Sequence, residues 1–134
     1  MMLLTMKILV GLIALLFLSM GGNLLLNPGE AAASFALTPV GEAGLNTLRS
    51  DFAGLFLASC LFLILGLVQG RGVWLQVVAI LMLLIAAGRL LGFVVDGAPV
   101  PANIQAFVAE IVIAAILLVT DRIMIARSTA ATVS

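Results

Sequence analysis

Residues 69–101 read QGRGVWLQVVAILMLLIAAGRLLGFVVDGAPVP, and this stretch decides the fold. Residues 72–88 carry no charge, and Arg89 is the one charge between Val73 and Val95. A bilayer core about 30 Å thick takes about 20 helical residues at 1.5 Å each. Residues 73–95 supply that length. Both ends are marked: Gln69-Gly70-Arg71-Gly72 is a tight polar turn, and Asp96-Gly97-Ala98-Pro99-Val100-Pro101 cannot continue a helix.

The same reading extends outward. Residues 8–29, 52–70 and 97–109 likewise carry no charge. Membrane-spanning helices are therefore expected at about 5–26, 45–68, 73–95 and 103–120. Asn27-Pro28-Gly29 stops the first, because proline disfavours helical geometry in the residue before it. The longest connection, 27–44, contains Ala31–Phe35 and has room for a short interfacial helix. Residues 128–134 are small and polar and are expected to fray. No internal repeat, heptad or long linker divides the chain, so residues 1–134 read as one domain. The fold class is an all-α membrane protein, a four-transmembrane-helix antiparallel bundle.

Composition excludes the alternatives. Of 134 residues, 64% are hydrophobic and 9% charged, against roughly 45–50% and about 25% in soluble domains. Mean hydropathy is +1.36. Six Lys+Arg and six Asp+Glu cannot cover the surface of a soluble protein. Zero net charge leaves no basic face for nucleic acid. With no His and one Cys, transition-metal sites, haem ligation and internal disulfides lack their ligands, and no cofactor is indicated. Residues 1–36 have a rival reading as a signal peptide, with Lys7, an apolar stretch and Ala31-Ala32-Ala33. The uncharged run is longer than the usual 7–15 residues of such a segment, which favours an uncleaved first helix.

Basic residues set the expected orientation. Lys7 precedes helix one, Arg71 lies in the turn after helix two, and Arg122 and Arg127 follow helix four. The connections 27–44 and 96–102 carry Glu30, Glu42 and Asp96 and no Lys or Arg. The positive-inside rule then puts both termini in the cytoplasm.

Five polar residues fall in or just inside the spans: Asn46, Arg49, Asp51, Arg89 and Glu110. The first three open helix two from the outer side. Arg89 and Glu110 sit ~9–10 Å below the same side on consecutive antiparallel helices, at 1.5 Å per residue. A lone charge at a helix centre costs ~2.5–3.5 kcal/mol, so opposite charges at one depth are expected to pair. Ala102, Ala106, Glu110 and Ala114 form one stripe, and Ser50, Gly54 and Ala58 another, both of the small type that lets helices approach. Gly88 and Gly92 flank Arg89. Gly11 and Gly21-Gly22 are close-packing or bend sites. A structural ion-pair network explains these residues without any ligand; a bound ligand or ion explains them as well. Cys60 reads as a small apolar filler, Trp74 as an interface anchor, and the scattered methionines as packing or lipid contacts. No nucleophile stands beside a base, so no catalytic residue is assigned.

Asn46-Thr47-Leu48-Arg49 followed by Gly54-Leu55, then Gly88-Arg89-Leu90-Leu91, Asp96-Gly97-Ala98-Pro99 and Glu110 resemble a bacterial family of small four-helix membrane proteins. That family is known as a domain of unknown function, the four-three-four-five group. The resemblance runs from about Gly11 to Leu118 and implies a four-helix fold in the bacterial inner membrane. It implies no activity, substrate or catalytic residue. Ser50-Asp51 departs from the small apolar residues expected there and adds a carboxylate beside Arg49.

The expected function is non-enzymatic: an accessory subunit, or a bundle that binds an apolar ligand or lipid beside the polar cluster. Membrane lipid is the expected partner, with a larger membrane complex or a second copy of the chain as protein partners. The alternative is a small proton-coupled carrier using Glu110. Small multidrug exporters share the size and helix count, but their acid lies in the first helix, and here helix one has none.

Overall fold

In the computed structural model the described residues are 1–97 and 99–133, with side chains described through Ala126. Their regular elements are α1 (Met2–Leu26), α2 (Pro28–Ala33), α3 (Gly41–Thr47), a π-helical turn (Leu48–Phe52), α4 (Ala53–Gln69), α5 (Val73–Val95) and α6 (Pro101–Val133). Four stretches are long and apolar enough to cross a membrane: Met2–Leu26, Gly41–Gln69, Val73–Val95 and Pro101–Ala126. This is a multi-pass, all-α membrane protein.

Local chemistry sets most of the boundaries. α1 stops where Pro28 follows Asn27, and Asn27 N–H closes the last turn on Asn23 O at 2.7 Å. Pro28 opens α2, where its missing N–H costs nothing. α4 ends on Gly70 at φ 65°, a left-handed conformation that lacks a Cβ penalty only in glycine. α5 spans 73–95 as its flanking breaks require.

Three expectations need correction. The fourth helix does not stop at residue 120 but continues through Asp121 and Arg122 to Val133. Charge marks where lipid ends, whereas only Gly or Pro would end the helix, and neither occurs between 102 and 133. The second span starts at Gly41 rather than 45, and a π-helical turn interrupts it. The short helix in the long connection lies at Pro28–Ala33, a few residues earlier than Ala31–Phe35. The fraying expected from residue 128 meets the same helix, which is regular through Val133; the side chains from Arg127 on, and residue 134, lie outside the described residues.

The helices close into a ring in which α1 packs on α4 and α6, and α5 packs on α4 and α6. Val10, Ile13 and Phe17 of α1 meet Cys60 and Leu63 of α4, Leu75, Val78 and Met82 of α5, and Leu117 and Met124 of α6. Lipid is as apolar as these side chains, so close packing rather than transfer from water holds them. Gly21 provides the tightest approach between α1 and α4: a Cβ there would stand 2.8 Å from Leu57 Cγ and 3.2 Å from Ala53 O. The stripe Ser50, Gly54 and Ala58 does not play this part, because all three are exposed and a Cβ on Gly54 would meet nothing. Gly11 and Gly22 likewise border open space.

One end of the bundle carries the turn at 70–72, and the other carries the connection 27–40 together with Asp96, Gly97, Pro99 and Val100. At this second, loop end, α2 covers a smaller core of Leu24, Ala31, Ala32, Leu48 and Ala53. Phe35 lies between Phe52 and Phe56, with ring centroids 6.4 and 5.7 Å away. At the turn end Trp74 stacks on Phe62 at 5.6 Å and donates from Nε1 to Gln69 Oε1 at 3.0 Å. That arrangement suits an indole anchored at a membrane interface.

Candidate functional site

Arg89 and Glu110 meet as their depth requires. Arg89 Nε donates to Glu110 Oε1 at 2.7 Å, joining α5 to α6 near the loop end. The Glu110 side chain is 12% exposed and that of Arg89 32%. A guanidinium and a carboxylate can form two parallel hydrogen bonds, the geometry that uses both groups most fully. Here they form one. Glu110 Oε2 is buried with no hydrogen-bond partner among the described residues, and the Arg89 Nη nitrogens make none there either. One carboxylate oxygen of Glu110 and the four Nη–H donors of Arg89 are therefore left without a protein partner among the described residues.

Beside this pair, at the ends of α5 and α6, lies a crevice of about 440 Å³. Gly88, Arg89, Gly92, Phe93 and Asp96 of α5 face Asn103 of α6, with Pro99 and Val100 at the rim. Gly88 and Gly92 do not bring another helix close: a Cβ on Gly88 would meet nothing, so the two glycines leave the floor of the crevice bare. Phe93 is fixed by an edge contact with Phe107 at 5.9 Å. The crevice is half open, with Gly88, Asp96 and Asn103 exposed.

The other three residues of the expected cluster stand elsewhere. The π-helical turn packs on α1, α2, α3 and α4. From it Arg49 Nε donates to Leu25 O at 3.3 Å, satisfying a carbonyl that the end of α1 leaves without an intrahelical partner. Asp51 Oδ1 accepts from Ser50 Oγ at 3.1 Å, and Ser50 Oγ also donates to Asn46 O at 3.0 Å. Asn46, Arg49 and Asp51 are exposed. No hydrogen bond or ion pair links them to Arg89 or Glu110 among the described residues. The structure thus separates a helix-capping group from the ion pair and its crevice.

Sequence reading missed a second polar tie. Asp121 is buried, and its Oδ2 accepts from Gln76 Nε2 at 2.7 Å, joining α5 to α6 at the turn end. Asp121 Oδ1 points at Gly72, where a Cβ would overlap it, and has no hydrogen-bond partner among the described residues. The carboxylate stands against the N-terminus of α5, where the helix dipole favours negative charge. A usable signal existed: eleven residues separate Glu110 from Asp121, three helical turns, so both face α5. Between the two ties the interface is filled by Ala79, Met82, Ala86, Ala114 and Leu117, all buried.

Chemically the loop-end crevice offers a cation with free N–H donors, a carboxylate at Asp96 and a carboxamide at Asn103. It can bind and orient; none of these groups is a nucleophile activated by a base. No curated protein and no solved structure matches the chain. A family model described as "Domain of unknown function (DUF4345)" matches residues 5–120. The chain belongs to that family of domains of unknown function.

Proposed function

We propose that this is a non-enzymatic membrane protein that holds an amphiphile by its headgroup in the crevice between α5 and α6. Arg89 is the anchor. The observation that carries this reading is the single-bonded Arg89–Glu110 pair: Glu110 fixes one edge of the guanidinium and leaves the Nη edge without a partner. Exposed Leu90, Leu91, Val94 and Val95 on the same end of α5 give an alkyl chain an apolar surface to follow. A structural pair alone would account for the contact but gives no reason for a glycine-floored crevice beside it. Native mass spectrometry of the full chain in mild detergent is expected to show retained lipid that Arg89→Gln loses. Retention unchanged by that substitution would contradict the reading.

We place the protein in a bacterial inner membrane with both termini cytoplasmic, on the distribution of Lys7, Arg71, Arg122 and Arg127. The crevice then opens to the outer leaflet. Cysteine introduced at Val40, which is 84% exposed, is expected to react with an impermeant thiol reagent in intact cells, and cysteine at Gln69 is not. The opposite pattern would invert the orientation. Native Cys60 is buried and does not compete.

A carrier cycling a proton on Glu110 has one observation in its favour, the unpartnered Oε2. Against it stands the apolar packing between Glu110 and Asp121, which supplies no polar path from one end to the other. Solute-dependent proton flux in proteoliposomes, lost in Glu110→Gln, would overturn the binding reading.

A further inference from the structure

We propose that the headgroup held in this crevice is a zwitterion, its anionic oxygens on Arg89 and its ammonium on Asp96 and Asn103. The inference rests on the crevice being a ligand site, as above, and adds the charge pattern of what enters it.

Arg89, Gly92, Phe93 and Asp96 fall at i, i+3, i+4 and i+7, on one face of α5. About 10 Å of helix rise separates the charged residues' Cα atoms. Side chains on a helix lean toward its N-terminus, which carries Asp96 back over Gly92. A Cβ at Gly92 would stand 3.4 Å from Asp96 Oδ2, so the missing side chain is what leaves this space open. Asp96 nevertheless forms no ion pair with Arg89; the ion pair of Arg89 is with Glu110. Neither the Asp96 carboxylate nor the Asn103 carboxamide makes a hydrogen bond among the described residues. Three polar groups, one cationic, one anionic and one neutral, therefore line the same crevice, with Asp96 and Asn103 exposed.

The charge balance selects the ligand class. Glu110 already neutralises Arg89, so Asp96 leaves the site with one net negative charge. A purely anionic head would meet that field, and a purely cationic head would leave the Arg89 Nη edge unused. A zwitterion answers both groups at once. Asp96 and the Asn103 Oδ1 are acceptors, so an ammonium with N–H donors suits them and a quaternary one does not. Phosphoethanolamine has this pattern, either as a lipid headgroup or as a free solute.

The test is a titration of the full chain in detergent with short-chain phosphatidylethanolamine, phosphatidylglycerol and phosphatidylcholine, read by native mass spectrometry. Phosphatidylethanolamine is expected to bind about tenfold tighter than the other two, on the scale of one charge-assisted hydrogen bond. Asp96→Asn is expected to abolish that preference, while Arg89→Gln abolishes binding of all three. Asp96 is exposed, and an unchanged melting temperature of Asp96→Asn will show that its fold is intact. Free phosphoethanolamine competing at the lipid's own concentration would support a soluble zwitterion as the ligand; failure to compete would support the lipid. Phosphatidylglycerol binding as tightly as phosphatidylethanolamine, indifferent to Asp96→Asn, would overturn the zwitterion and leave the Arg89 site standing. Binding of none of them, or binding indifferent to Arg89→Gln, would overturn both.

Discussion

Gly72→Ala is expected to destabilise the protein by about 2–3 kcal/mol, in the range for forcing atoms into a packed interior. Backbone conformation is not the cause, since Gly72 has φ −62° and ψ −24°, which any L-residue adopts. The cause is Asp121, whose Oδ1 occupies the space the new methyl would take. Asp121 has little room to yield. It is 3% exposed, and its other oxygen is held by Gln76 Nε2 at 2.7 Å. Displacing it breaks a charge-assisted hydrogen bond and leaves the half-buried Gln76 amide without its acceptor. The double variant Gly72→Ala/Asp121→Ala is therefore expected to lose less than the sum of the two single changes. Thermal unfolding of all four proteins in one detergent checks this. Strict additivity, or a Gly72→Ala protein that melts with wild type, would show that α5 and α6 are not joined there.

The second large effect concerns Arg89 and Glu110. Arg89→Leu is expected to cost about 2–3 kcal/mol, below the range for breaking a fully buried pair because Arg89 is partly exposed. What destabilises is the carboxylate left behind at depth without a counter-charge. Arg89→Leu/Glu110→Leu removes both charges and is expected to return close to wild-type stability, since apolar packing commonly replaces a buried pair at no loss. The same double variant is expected to retain no amphiphile. A stable bundle that has lost its ligand would separate the two roles of the pair. A double variant as unstable as the sum of the single changes would mean that the two side chains do not depend on each other.

Residues whose chemistry acts locally were legible in the sequence. Asn27-Pro28, Gly70 and Asp96-Gly97 end helices by backbone geometry, and α5 lies where its flanking breaks place it. Opposite charges at one depth predicted the Arg89–Glu110 contact because lipid makes each charge costly alone. The far end of α6 was not legible, since the apolar run expected to form the span stops at residue 120, before Asp121 and Arg122. That reading also hid Asp121, whose partners Gln76 and Gly72 lie on another helix. The grouping of Asn46, Arg49 and Asp51 with Arg89 rested on shared depth. Depth does not say which helices are neighbours. The π-helical turn packs on α1, and Arg49 turns to the open carbonyl of Leu25. Gly88 and Gly92 were legible as small residues, but only the folded chain shows that they line a crevice with Asn103 of α6.

The central claim to test is that Arg89 presents its free Nη edge to a headgroup. The most direct measurement is the dipolar coupling between arginine guanidinium nitrogens and lipid phosphorus, in protein labelled with nitrogen-15 arginine and held in phosphatidylethanolamine bilayers. Arg49, Arg71, Arg122 and Arg127 share the label, so the quantity of interest is the difference between wild type and Arg89→Gln. Wild type is expected to show a nitrogen–phosphorus contact within hydrogen-bonding reach that is missing from Arg89→Gln. Identical coupling in the two proteins would contradict it.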